Sequence, residues 1–281
     1  MMVRAIGNFD PLLIARSGQL FRWEELEGGA VRFTAGDRRV TVRPAGEGAF
    51  AFSCEEAAFE TLWRGYFDFD ADYAAIGARI PREDAFLTAA YRYGRGLRIL
   101  RQDAWEALAS FIVSQNNNIP RIRASVQALS ERFGERREDG EGMFFAFPTP
   151  QRLARATEDE LRACGLGYRA AYIAALARET AEGRLDLGAL CALEDESLRA
   201  ALCALNGVGP KVAQCAMLFG FHRLAAFPVD TWIRRALAAR YPGGFPLERY
   251  AGCGGVIQQY MFIYERHLAQ IENQKKRRKE A

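Results

Sequence analysis

Histidine and lysine are both scarce. His222 and His267 are the only imidazoles, and of the 33 basic side chains in residues 1–274 all but Lys211 are arginine. Two histidines supply histidine-centred metal chemistry poorly. The six cysteines (Cys54, Cys164, Cys191, Cys203, Cys215, Cys253) include no C-x-x-C pair, which argues against both a disulfide framework and a zinc site. No metal and no cofactor is expected. There is no apolar run long enough to cross a bilayer and no signal-peptide core at the N-terminus, so the expectation is a cytosolic protein with no membrane partner. A strongly basic body is also lacking. The formal net charge is +3, but KKRRKEA at residues 275–281 carries five positive charges and one negative, leaving residues 1–274 at −1. A polyanion would have to be held by local clusters.

What is present is a chain of 281 residues, 49% apolar and 26% charged, as expected of a soluble globular protein. Up to about residue 54, QLFRWEEL, AVRFTAG, RRVTVRPA and AFAFSC read as short strands separated by glycine turns. From Glu55 the pattern turns helical, and after LRILRQD it stays helical almost to the end. The expected class is α+β, an N-terminal antiparallel sheet with helices followed by a mostly helical core. The expected divisions are 1–95, 96–218 and 219–270, with 271–281 a basic disordered tail that gives weak electrostatic help on nucleic acid at most.

The stretch from Leu205 to Trp232 organises the chain. Leu198, Leu202 and Leu205 end one apolar face, and Val212, Ala216 and Phe219 begin another. Between them Gly207, Val208 and Gly209 form a tight turn, with Pro210 suited to the first turn of the next helix. Amides at such a turn make a ready phosphate site. Lys211 follows at once. Lysine, unlike arginine, can lose its proton and act as an amine nucleophile; the plainer readings are a phosphate contact or a genomic arginine bias that one lysine escapes. Asp230 is a favoured N-cap, yet lying one helix away from Lys211 it could also face the same cleft and stabilise positive charge.

Two further breaks carry polar groups. SQNNNIPRI places Asn116, Asn117 and Asn118 before Pro120 and Arg121, which reads as a helix cap and loop or as equipment for a base edge. GLGYRAAYI presents Tyr168 and Arg169 at a glycine turn, where they are ordinary surface residues or a stacking and wedging pair.

Together, SGQLFRW, SQNNNIPRI, GLGYRAAYI, LNGVGPKVAQC, PVDTW and QQYMF, spread over residues 17–262, resemble the 8-oxoguanine DNA glycosylase/lyases of the helix-hairpin-helix superfamily. The resemblance implies Lys211 as nucleophile and Asp230 as catalytic aspartate. It implies a damaged-base pocket in which the Gly18 carbonyl contacts the base, Gln258 reads its edge, Phe262 stacks on it and Cys215 forms the opposite wall. Asn116, Arg121 and Arg169 would hold the estranged cytosine, Tyr168 would be the wedge, and Gly207, Val208 and Gly209 would hold a phosphate. Trp232 departs from the family, where histidine is frequent. Only Cys253 follows the aspartate, so no iron–sulfur cluster is implied. The implied activity is excision of 8-oxoguanine, preferably opposite cytosine, with strand cleavage by β-elimination. The implied partner is double-stranded DNA, bound by a monomer in the cytoplasm or, in a eukaryote, the nucleus. Two alternatives stand beside it: a monofunctional glycosylase for alkylated bases or adenine, and a non-catalytic hairpin module that only binds DNA.

Overall fold

Alternation of apolar residues drives the first layer. Val31 and Phe33 on β3 (Val31–Ala35), Val40 and Val42 on β4 (Arg38–Pro44) and Phe52 on β5 (Ala49–Phe52) are fully buried, the half-buried pattern that assembles a sheet against one core. The computed structural model describes the main chain of residues 1–280 and the side chains of residues 1–276. Its sheet is antiparallel in the order β1-β5-β4-β3-β2, with β1 at Met2–Ala5 and β2 at Trp23–Glu25. β1 was not among the expected strands, being a four-residue edge with only Met2 buried. Nor was the helix Pro11–Arg16 expected. It forms because Asp10 caps it, accepting from the Leu13 amide at 2.9 Å, and proline occupies its first turn.

The helical remainder is interrupted once, against expectation, by the hairpin of β6 (Arg136–Asp139) and β7 (Gly142–Phe145). Charged β6 (RRED) and short β7 (GMFF) lack an apolar alternation, and tertiary contacts hold them. Arg39 pairs with Asp139 at 2.5 Å and lays its guanidinium 4.5 Å from the Phe144 ring centroid. The last helix, Gly254–Glu280, extends through what was expected to be a disordered tail. Glu, Gln, Lys and Arg are all good helix formers, and Glu272 pairs with Lys276 one turn on.

Two polar joints tie the N-terminal segment to the later part of the chain. Arg22 meets Glu106 at 2.7 Å and also donates to the carbonyls of Gly36 and Phe145. Asp68 is buried, accepting from Tyr73 Oη at 3.0 Å and Arg101 Nε at 2.9 Å, with His222 Nε2 at 3.3 Å. The final helix packs back on Ala85–Tyr93, where Tyr91 meets Tyr260 and Tyr93 stacks on His267 at 4.3 Å. Segments 1–95 and 219–270 therefore share a core.

Candidate active site

Helix Asp195–Cys203 ends, the chain turns through Leu205–Gly209, and helix Pro210–Phe219 begins with Gly209 as N-cap. Gly207 sits at φ +79°, and a Cβ there would come 2.3 Å from Tyr172 Cγ, so glycine is required twice over. Its carbonyl accepts from Gln115 Nε2 at 2.7 Å, tying the hairpin to the asparagine loop. The amides of Gly209, Lys211 and Val212 have no acceptor among the described residues, which leaves them free for an anion.

Lys211 is therefore fixed at the second residue of its helix, with Nζ 5.7 Å from the Phe111 ring centroid. One turn on, Cys215 is buried. Burial pushes the Cys215 thiol up, Lys211 draws it back and the Asp230 charge raises it further. Asp230 caps helix Thr231–Arg240, Oδ1 accepting from the Ile233 amide at 2.9 Å; Oδ2 has no partner among the described residues. The preceding segment is held by Gln214 Oε1, which accepts from the Phe227 amide at 2.9 Å.

Lys211 and Asp230 do not close into an ion pair but face one cavity of about 610 Å³. Gly18, Phe262 and Asn116 share its walls, with Trp232 and Arg234 beside Asp230. Gly18, at φ +80°, lies against Phe262: a Cβ would stand 3.4 Å from the ring. Five separate parts of the chain thus meet in one concavity, of a size suited to a small planar ligand.

Other expected residues are placed differently. Gln258 is buried one turn before Phe262 and does not line this cavity. Its Nε2 donates to the Pro228 carbonyl at 3.0 Å and its Oε1 accepts from Gln259. Cys215 lies beneath Lys211 instead of in the lining. Arg169, 6% exposed, uses its guanidinium on the carbonyls of Leu166, Gln115 and Asn116, so here it shapes the asparagine loop. Tyr168 by contrast is 53% exposed, its ring 4.5 Å from the Arg169 guanidinium. Arg121 is exposed with its side chain unpaired among the described residues, and Asn118 caps the helix Ile119–Phe133.

The sequence reading missed Gln115, Phe111 and Arg266. Gln115 has no local signature, because its partner is 92 residues away. Arg266 stands four residues after Phe262 on the same helix, a spacing that put it on the pocket face.

A family model described as the 8-oxoguanine DNA glycosylase N-terminal domain matches residues 2–108. A second, described as HhH-GPD superfamily base excision DNA repair protein, matches residues 109–242. The chain is 30% identical to a probable N-glycosylase/DNA lyase of Methanothermobacter thermautotrophicus, the match covering 95% of this chain and 96% of that protein. It is 36% identical to N-glycosylase/DNA lyase OGG1 of Arabidopsis thaliana over 77% of this chain, a match spanning 62% of that protein's length. Among solved structures it resembles the Clostridium acetobutylicum 8-oxoguanine glycosylase/lyase bound to double-stranded DNA containing cytosine opposite 8-oxoG. That likeness has a TM-score of 0.89 and 34% identity, covering 95% of each chain.

Proposed function

The chain belongs to the 8-oxoguanine DNA glycosylase family of the HhH-GPD base-excision repair superfamily, and from that premise we propose that it excises 8-oxoguanine from duplex DNA and then cleaves the strand. The observation that carries this reading is Lys211 and Asp230 facing one cavity whose other walls include Gly18 and Phe262.

A base within a duplex cannot be attacked at its sugar, so the nucleotide must leave the stack, at a cost of a few kcal/mol. Tyr168, exposed beside the asparagine loop, is the wedge, and Asn116 and Arg121 fill the vacated space opposite cytosine. The extruded base stacks on Phe262. The Gly18 carbonyl then accepts the hydrogen that N7 of 8-oxoguanine carries. Guanine N7 is itself an acceptor, and leaving a buried polar group unpaired costs about 1–3 kcal/mol, enough for a useful preference.

The neutral Lys211 amine forms a bond to C1′ as the bond from C1′ to N9 breaks and its electron pair leaves with the purine. Asp230, fixed by its capping bond, stabilises the cationic sugar with the oxygen that has no partner among the described residues. The adduct loses an amine proton and the C1′–O4′ bond opens, O4′ taking a proton, to give a Schiff base. Loss of a C2′ proton then breaks the C3′–O bond and expels the 3′ phosphate. The free amides at Gly209, Lys211 and Val212 hold a backbone phosphate near this chemistry. Trp232 at the rim takes the place of an imidazole and contributes stacking surface.

The test is a set of duplexes with 8-oxoguanine opposite each base, run with and without borohydride. The expected result is excision fastest opposite cytosine, with a trapped covalent complex that Lys211→Gln abolishes. Excision with no trapping would point to a monofunctional glycosylase, and binding with neither to a passive hairpin module.

A further inference from the structure

Arg266 lines the same cavity as Lys211 and Asp230, one helical turn beyond Phe262. Its Nη1 donates to the Arg16 carbonyl at 3.0 Å, and its guanidinium carbon lies 5.4 Å from the Phe262 ring centroid. It has no ion-pair partner and no second side-chain hydrogen bond among the described residues. Burial pushes its pKa down, while Tyr93 and the Asp230 charge act the other way. A half-buried cation with one internal acceptor is an expensive way to stabilise a fold. What it touches gives it another use.

Both of its contacts flank Gly18. Arg16 precedes that glycine by two residues, and the Phe262 ring lies against it at 3.4 Å from a Cβ position. The turn is held from inside, where Ser17 Oγ donates to the Ile14 carbonyl at 2.7 Å and Gln19 Nε2 donates to Ser17 Oγ at 2.9 Å. On the cavity side it is held by Arg266. We propose that Arg266 is a positioning residue for base recognition, clamping the Arg16–Gly18 turn and the Phe262 ring into one fixed corner. This rests on the functional reading above and adds a division of labour to it. The corner matters while a base occupies it, and is idle when Lys211 attacks a site whose base is already gone.

The full-length protein is assayed under single-turnover conditions on an 8-oxoguanine:cytosine duplex and on an abasic:cytosine duplex. Arg266→Met keeps an apolar stem beside Phe262 and removes the donor and the charge. Excision should slow about tenfold to a hundredfold, the scale of one charge-assisted hydrogen bond. Abasic-strand cleavage and borohydride trapping should stay within about twofold of wild type, since they use no base contact. Arg266→Lys, with one donor able to reach the Arg16 carbonyl, should recover part of the excision rate. Unchanged excision in the Met variant, or both reactions falling together without recovery in the Lys variant, overturns the role. Absence of excision in the wild type overturns the functional reading and this proposal with it. Wild-type excision beside an indifferent Met variant overturns the role of Arg266 alone.

Discussion

Replacing Asp230 by asparagine separates the two jobs that this residue can hold. The carboxylate caps helix Thr231–Arg240 through Oδ1, 2.9 Å from the Ile233 amide, and asparagine offers the same oxygen at the same place. Asparagine and aspartate are near-equal N-caps, so stability should change by no more than about 0.5 kcal/mol. Asp230 lines the cavity and its other oxygen has no partner among the described residues; there asparagine presents an amide without charge. Removing one preorganised electrostatic stabiliser costs about 3–4 kcal/mol in the transition state, or roughly 10²–10³ in rate. Single-turnover excision should fall by that factor while the thermal midpoint stays within about 2 °C of wild type. Asp230→Ala should show the same kinetic loss plus about 1 kcal/mol of destabilisation from the missing cap. If Asp230→Asn excises within a few-fold of wild type, the carboxylate is a cap and nothing more.

Gly207→Ala should fold poorly and act poorly. The left-handed backbone costs about 1–2 kcal/mol and the contact with the Tyr172 ring about 1–3 kcal/mol more. A thermal midpoint lower by several degrees, with excision and abasic cleavage both reduced, is expected; an unaltered midpoint would show that the hairpin tolerates a side chain. Asp68 gives a pH signature. Burial works against its carboxylate, but His222, Arg101 and Tyr73 outweigh that and hold the carboxyl below the ordinary carboxylate range. A depressed folded value means the stabilisation is complete above the unfolded pKa of about 3.9 and is lost as pH falls through the folded one. Urea midpoints of Asp68→Asn measured from neutral pH to about pH 3 should fall less steeply on the acid side than those of wild type. Parallel curves would contradict it.

The framework that carries Lys211 and Asp230 was legible because it is local. Lys211 and Asp230 belong to one helix–loop–helix unit whose glycines, proline and N-cap follow from residue type alone. The α+β class followed from alternation giving way to helical spacing at Glu55. Gly18 and Phe262 were reached through family resemblance, because nothing near either says that residues 244 apart will touch. Arg169 and Gln258 were named by motif position alone, and sequence did not show the acceptors they meet in the folded chain. Those acceptors, Gln115 and Asn116 in one case and Pro228 in the other, become neighbours only on folding. The hairpin of β6 and β7 escaped for a similar reason: a charged edge, held by Arg39 from another sheet, has no apolar signature of its own.

That contrast has a mechanical consequence. The nucleophile and the carboxylate are set by short-range structure, so their spacing survives small movements between the sheet layer and the helices. The recognition corner is not protected in this way. Gly18 belongs to the turn after the first helix and Phe262 to the last, and they meet through long-range contacts, among them Arg22–Glu106, the Asp68 cluster and the packing of the last helix on Ala85–Tyr93. A shift of an ångström there would leave the Lys211 amine able to attack an abasic sugar while the Gly18 carbonyl no longer sits at N7 of a bound purine. Base selection is therefore the more fragile of the two activities. Perturbations at the joint between the layers will erode excision of 8-oxoguanine before they erode strand cleavage.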